Sequence, residues 1–392
     1  MEYRPVPVDS ADFRRFLSYA FRPEDGPPDL DEEPPSLATV GEARGLFDGD
    51  DLLTVCKHHW FTARVGGVSH PLAGLSAVAT PPEHRRRGLV RRLVEHALDE
   101  YRDRGAYLSA LWPFKHPFYR QFGWALANRY ASQTFDPAVL GGFHAGTTGT
   151  IRPLEPDEYE SLARVLDAES GHRPLFVERT EEWWRKRTFE GWETDPNVYG
   201  LERDGELRGY LVYSFERDGD DREMRVGELA AIDREARHEL FRFISDHDSQ
   251  VASVQLYGPP DDLLLDAVDD PADVEVAIKP GPMVRLVDVP AAIEARPLQG
   301  TGTVTIEVTD SVAGWNDGRF RIDVADGEAS CVAVDEDPDA TCSVGALSQL
   351  YVGYRSVAAL EEGGELTVAS GGARTLLDEA FPTGPVFLRE RF

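Results

Sequence analysis

Lysine is almost missing from this chain: Lys57, Lys115, Lys186 and Lys279 are the only ones among 41 basic residues, and the rest are arginines. Against 70 aspartates and glutamates they leave a formal net charge of −29. Such a surface repels nucleic-acid phosphates and anionic lipid, so neither a nucleic acid nor a membrane is expected as a partner. An acidic, lysine-poor surface suits a salt-rich cytoplasm, where at about 1 M ionic strength the Debye length is only ~3 Å and mutual repulsion is screened. On that reading the charge reports habitat and not partner.

Cysteine is scarce as well. Cys56, Cys331 and Cys342 are an odd number with no Cys-x-x-Cys spacing, which excludes a disulfide framework and a structural zinc site. They read as small buried hydrophobes. No apolar run approaches the ~20 residues of a membrane span, and Met1-Glu2-Tyr3-Arg4-Pro5 has no signal-peptide character, so a cytoplasmic protein is expected. The tract Asp335-Glu336-Asp337-Pro338-Asp339 lacks the Gly and final Glu of a calcium loop and reads as a solvated turn. No Ser-His-Asp, Cys-His or His-Glu-x-x-His pattern offers a nucleophilic or metal mechanism.

A length of 392 residues implies two or three domains. The best organised stretch runs from Leu72 to Gly123. Leu72 to Ala79 reads as a buried strand, Thr80 to Arg87 as a loop, and Gly88 to Arg104 as a helix with Leu89, Val90, Leu93, Val94, Ala97, Leu98 and Tyr101 on one face. Gly105 ends it. The first turn of a helix offers unpaired N–H groups and about half a positive charge, Gly88 permits close approach of backbone, and Arg85-Arg86-Arg87 stand directly before it. An anion such as pyrophosphate fits there; a solvated loop before an ordinary amphipathic helix is the alternative.

The run His84 to Leu89, the following helix, Gly105, a strand Tyr107 to Leu111 and then Phe118-Tyr119-Arg120-Gln121-Phe122-Gly123 together resemble the acetyl-CoA core of the GNAT acetyltransferases. Their Arg/Gln-x-x-Gly-x-Gly/Ala motif is met here by Arg85-Arg86-Arg87-Gly88-Leu89-Val90, with Val90 in place of the usual small residue. The whole chain is similar to the Eis-type (enhanced intracellular survival) branch, which also places an aliphatic residue there. The resemblance implies a mixed α/β (α+β) fold of two tandem GNAT-like domains and a sterol-carrier-like domain. It assigns Val78, Ala79, Thr80, Arg85, Arg86, Arg87, Gly88, Leu89, Val90, Arg91, Phe114 and Lys115 to the cofactor. Phe114 departs from a serine usual in the branch, so a hydroxyl contact is lost there.

Elsewhere, Ala11 to Ala20 reads as a helix, Asp25 to Pro35 as an acidic, proline-rich linker, and Thr39 to Phe47 and Leu52 to Val65 as strands. After a glycine-rich stretch the pattern of strands and helix repeats, with two strands across Val198 to Glu216, a strand Glu228 to Ile232 and a helix Arg234 to Ser245. The turn of this repeat, Ile232-Asp233-Arg234-Glu235-Ala236-Arg237, has no Gly and two carboxylates, so it should not bind coenzyme A. Trp183, Trp184 and Trp192 line a groove or pack a junction, and packing is the ordinary role of such clusters. Domain boundaries are expected at 1–147, 148–288 and 289–392.

The expected reaction is transfer of the acetyl group of acetyl-CoA to a small-molecule primary amine of aminoglycoside, polyamine or lysine type. It needs a polarised thioester carbonyl, a proton acceptor for the amine and a proton donor for the thiolate. Backbone near Val78 is the candidate for the first task and Tyr119 for the third, with His116 in reserve as a titratable group. The terminal stretch Pro385 to Phe392 alternates like a strand. In the Eis-type branch the terminal carboxylate enters the first domain's active site as the proton acceptor, a role that maps by position onto Phe392. The branch also implies a homo-oligomer, a hexamer. A non-catalytic acyl-CoA or lipid-binding regulator is the reading from another class.

Overall fold

A computed structural model describes residues 1–143, 149–219 and 221–392. The β-rich runs of the first third pair as their alternation demands. Asp51–Val65 and Val68–Ala79 form a long antiparallel hairpin, with Glu42–Asp48 and then Glu2–Val6 added at one side. On the other side Leu108–Leu111 pairs parallel to Val68–Ala79, in the register Leu72 to Leu108 and Gly74 to Ala110. A right-handed crossover of this kind needs a helix, and Leu89–Asp103 supplies it, burying Leu89, Leu93, Val94, Ala97, Leu98 and Tyr101. Its bounds lie one residue inside the expected ones.

The parallel pairing ends at Gly74, although the strand continues to Ala79. Beyond it the register against Asp51–Val65 slips between Val55 and Lys57, and Ala77 takes a positive φ of 52°. A bulge of this sort turns strand backbone away from its partner. The two parallel strands therefore splay and leave a cleft at the carboxyl end of Val68–Ala79.

The sheets do not follow the expected linear boundaries. Met283–Leu286 lies in the first sheet, between Leu108–Leu111 and Ala125–Leu126, while Arg129–Phe135 lies in the second, between Glu275–Pro280 and Ser253–Gly258. Each of the first two units thus holds a strand from the far side of the other. The expected cut at 147 falls outside the described residues. The second sheet continues through Asp221–Ala231, Glu206–Asp218, Asn197–Arg203 and Thr150–Pro153, with Arg234–Ser245 as its crossover helix.

The third unit is a five-stranded sheet, ordered Glu328–Ala333, Gly318–Ala325, Gly302–Thr309, Ala340–Ser343 and Leu366–Val368. Its helices Val344–Tyr351 and Gly371–Ala380 pack against it, and its core is continuous with that of the first sheet through Leu108, Val284 and Leu286. Arg285 pairs with Asp310 at that junction, both buried, and also donates to the carbonyl of Phe122. Removing one partner of such a pair costs about 3–5 kcal/mol, because the other charge is left desolvated.

One expectation about local structure is corrected. The segment after Pro382 is not a strand: its backbone groups find partners one at a time, Phe387 N–H donating to Pro174 O at 3.0 Å and Leu388 N–H to Asn128 Oδ1 at 3.0 Å. The acidic linker touches the first helix, where Arg14 donates to the carbonyls of Asp29 and Leu30. All three cysteines are buried and unbridged, as read.

Candidate active site

The turn before Leu89–Asp103 has the geometry its sequence suggests. Gly88 sits at φ 73°, ψ 12°, a left-handed conformation that suits glycine, and no atom lies within 4 Å of where its Cβ would stand. The space it faces is a cavity of ≈ 690 Å³ whose wall includes Val78, Ala79 and Thr80 from the splayed strand. Arg85, Arg86, Leu89, Val90 and Arg91 come from the turn and first helical turn, and Phe114 from across the cleft. Ten of the twelve expected cofactor residues, Gly88 included, therefore meet at one cavity.

Arg87 and Lys115 do not join that wall. Arg87 is exposed and contacts His84 Nδ1 at 3.1 Å, and Lys115 is exposed at the head of the short helix His116–Arg120. Arg85 Nε donates to Thr80 O at 2.9 Å, which ties the basic turn to the strand end. Phe114 is 73% exposed, an unusual position for a ring, and it contacts Phe118 and Tyr119 with centroids 5.1 and 5.9 Å away.

Tyr119 belongs to that aromatic cluster and is 6% exposed. Burial, with Cys56 adding to it, pushes its phenol well above the usual tyrosine range, so the hydroxyl keeps its proton at any physiological pH. His116 Nε2 is buried and lacks a hydrogen-bond partner. The two readings of Tyr119, core aromatic and proton holder, are both compatible with this position.

Phe392 reaches the other side of the cleft. Its ring lies 5.4 Å from that of His59 and 5.0 Å from that of Phe61, on the strand Asp51–Val65. A Cβ on Gly74 would come within 2.8 Å of it, so the terminal ring occupies the point where parallel pairing stops. Trp112 Nε1 donates to Glu390 O at 2.6 Å, and Arg179 binds the Glu390 carboxylate at 2.8 Å. The tail is anchored into the first sheet and not frayed.

Sequence reasoning missed several residues that share this cleft. His59 contacts Ser76 Oγ at 2.9 Å through Nε2, while its Nδ1 is buried without a partner. Burial, with Lys57 and Arg187 beside it, pushes His59 well below the usual histidine range, so it is neutral. The run Lys57-His58-His59 inside an apolar strand was the available signal. Trp184 is 1% exposed and packs the core, whereas Trp183 and the 55% exposed Trp192 border a second cavity beside the tail.

The second unit lacks an open turn. Asp233 fills the anion position with its own carboxylate, accepting from Ala236 N–H at 2.7 Å and pairing with Arg203 and Arg208. A pyrophosphate would meet charge of its own sign there.

Family models agree with this architecture. Acetyltransferase (GNAT) domains match residues 4–127 and 175–286, and a sterol carrier protein domain matches 289–389. An uncharacterized N-acetyltransferase of Streptomyces griseus is 28% identical over 97% of this chain and 96% of its own length. N-acetyltransferase Eis of Mycobacterium tuberculosis is 28% identical over 81% of this chain and 79% of its own. Among solved structures, Eis1 from Mycobacterium abscessus superposes over the whole of both chains with a TM-score of 0.78 at 26% identity. A probable N-acyltransferase from Enterococcus faecalis has the same fold, with a TM-score of 0.87 over 100% of this chain and 99% of its own, at 22% identity. With two acetyltransferase (GNAT) domains in tandem and a sterol-carrier-type domain behind them, the chain is a GNAT N-acetyltransferase whose donor is acetyl-CoA, and it is similar along most of its length to the Eis proteins.

Proposed function

We propose that the first unit transfers the acetyl group directly to a small-molecule primary amine, and that the second and third units are structural. The reading rests on the open turn at Gly88, which heads a helix beside a ≈ 690 Å³ cavity and has no counterpart in the second unit. Acetyl-CoA, when bound, supplies an activated acetyl thioester.

The residues divide the work as follows. Gly88 and the first-turn N–H groups of Leu89, Val90 and Arg91 would hold the pyrophosphate, with Arg85, Arg86 and Arg87 adding charge. Phe114 offers a ring face instead of a hydroxyl, and Lys115 a cation at the mouth. Backbone at Val78, Ala79 and Thr80, turned out by the bulge, would orient the thioester end. Tyr119 keeps a proton on its hydroxyl for the departing sulfur, and the Phe392 carboxylate takes the proton of the amine. An α-carboxylate is a weak base, ordinarily with a pKa of about 3.3–3.7, so the amine must bind in its neutral form and give up its proton only as the N–C bond forms.

Segments 1–147, 148–288 and 289–392, the first two each lending a strand to the other's sheet, a homo-oligomer (a hexamer in the Eis-type pattern), a cytoplasmic location and a salt-rich habitat complete the proposal. Thiol release from acetyl-CoA with a panel of amines tests it. Amine-dependent turnover is expected. Saturable acetyl-CoA binding with no turnover on any amine would instead make the protein a non-catalytic acyl-CoA-binding regulator.

A further inference from the structure

A cavity of ≈ 460 Å³ opens beside the tail, between Trp112, Trp183 and Trp192 and the residues leading to Phe392. Its acidic side chains are already neutralised. Arg179 binds Glu228 through both nitrogens, at 2.6 and 3.0 Å, and binds Glu390 at 2.8 Å; all three side chains are at most 10% exposed. Glu228 also accepts from Tyr210, and Glu216 pairs with Arg225. A polycation entering here would have to break buried pairs to find a carboxylate.

The basic groups are in the opposite state. Among the described residues Arg187 donates only to backbone carbonyls, those of Leu37 and Arg391, and it stacks over Trp183 at 5.1 Å. Burial pushes its guanidinium below the usual arginine range. Behind the same wall Lys57 donates to Ala38 O, and burial together with Arg187 pushes its ammonium down to about 8. Arg391 fills an aromatic cage, 5.2, 5.1 and 5.4 Å from the rings of Trp112, Tyr130 and Tyr257. That cage would otherwise suit a substrate ammonium. Against these cations stand Glu190, which accepts from Ser36, and the chain terminus. Among the described residues Arg187 is thus a cation on the cavity wall that no Asp or Glu side chain pairs, in a protein of net charge −29.

We infer that the acceptor amine also carries an anionic group, a carboxylate or a phosphate, which docks on Arg187 while the amine points to the end of the tail. This deepens the acetyltransferase reading above and rests on it. An amine of amino-acid or amino-phosphate type fits, and the aminoglycoside and polyamine classes do not. Distance does not rescue the polycations: attraction by the acidic surface is screened beyond about 8 Å at physiological ionic strength, and inside the cavity the local pairing decides.

The test uses the full chain saturated with coenzyme A and reads tryptophan fluorescence during titration with matched amines. L-lysine is set against 1,5-diaminopentane, and O-phosphoethanolamine against ethanolamine, so that the two anions are told apart. At least one anionic member should bind about tenfold or more tightly than its match, as a charge-assisted Arg contact supplies. Arg187→Gln should erase the difference and Arg187→Lys restore part of it, with circular dichroism confirming that both variants fold. Equal affinities, tighter diamine binding, no saturable change with any probe, or a preference unchanged in Arg187→Gln would each overturn the inference. Thiol release separates the two readings. Turnover of the diamine without an anion preference leaves the acetyltransferase standing, whereas anion-selective binding without turnover leaves the pocket and removes the amine acetylation.

Discussion

The ring of Phe392, the last residue, lies 5.0 Å from that of Phe61 and tilted 52° to it, in the middle of the first sheet. A chain end held this way has little room for added residues. Appending one glycine after Phe392 should lower kcat by roughly 10²-fold or more, the scale of losing a general base, and leave acetyl-CoA affinity intact. Steady-state kinetics and calorimetry on the extended protein check this; full activity would exclude the terminal carboxylate and turn attention to His59 and His116.

Gly88→Asp should abolish acetyl-CoA binding. The new carboxylate would project into space that holds no protein atom, where the phosphates belong, and the positive φ would cost about 1–2 kcal/mol of strain. Calorimetry should show no heat, with a melting temperature only modestly lower. Glu235→Gln, in the closed turn of the second unit, should bind normally. Retained affinity in Gly88→Asp would remove the anion site.

For Tyr119→Phe the expected loss in kcat is about 10²-fold, with KM for acetyl-CoA unchanged. Because burial raises the Tyr119 phenol, its ionisation should not shape the pH profile below about pH 10, the ordinary tyrosine value. A falling limb near pH 9 that disappears in the phenylalanine variant would contradict this assignment.

His58 makes stability depend on pH. It is fully buried between the hydroxyls of Tyr3 and Tyr101, at 2.7 and 2.6 Å, and burial pushes its pKa down to about 4 despite Glu100 nearby. The unfolded chain takes up a proton near pH 6.5 that the folded chain refuses. Stability is therefore complete above that pH and is lost as pH falls from about 6.5 toward 4, by roughly 3 kcal/mol at most. Melting curves at pH 7 and 4.5 should differ accordingly. His58→Gln should be weaker at neutral pH but flatter across this window; an unchanged slope would show that other groups govern it.

What sequence made legible was local. Ala11–Phe21, Leu89–Asp103 and Arg234–Ser245 match the expected helices within a residue, since each keeps one apolar face and a clear start. The five-residue helix His116–Arg120 is too short to show a period. The tail alternates in sequence yet forms no strand, because Asn128 and Pro174 satisfy its backbone in place of a neighbouring strand. Arg179 and Glu390 meet although far apart in the chain, so the charge state of the tail cavity was unreadable from composition. Net charge read as a mark of habitat and carried no information on the pairing within the cavity.

Placement of Met283–Leu286 inside the first sheet has a consequence for the nascent chain. At about 5–20 residues per second, the roughly 170 residues between Leu111 and Met283 take on the order of 10–30 s to emerge. Throughout that interval Leu108–Leu111 has one parallel neighbour and an open edge, the kind of template on which other chains add strands. The first unit cannot finish folding before the second has been made. Release from the ribosome short of Leu286 leaves a sheet that lacks an interior strand, and the second unit acts as a completeness check on the first.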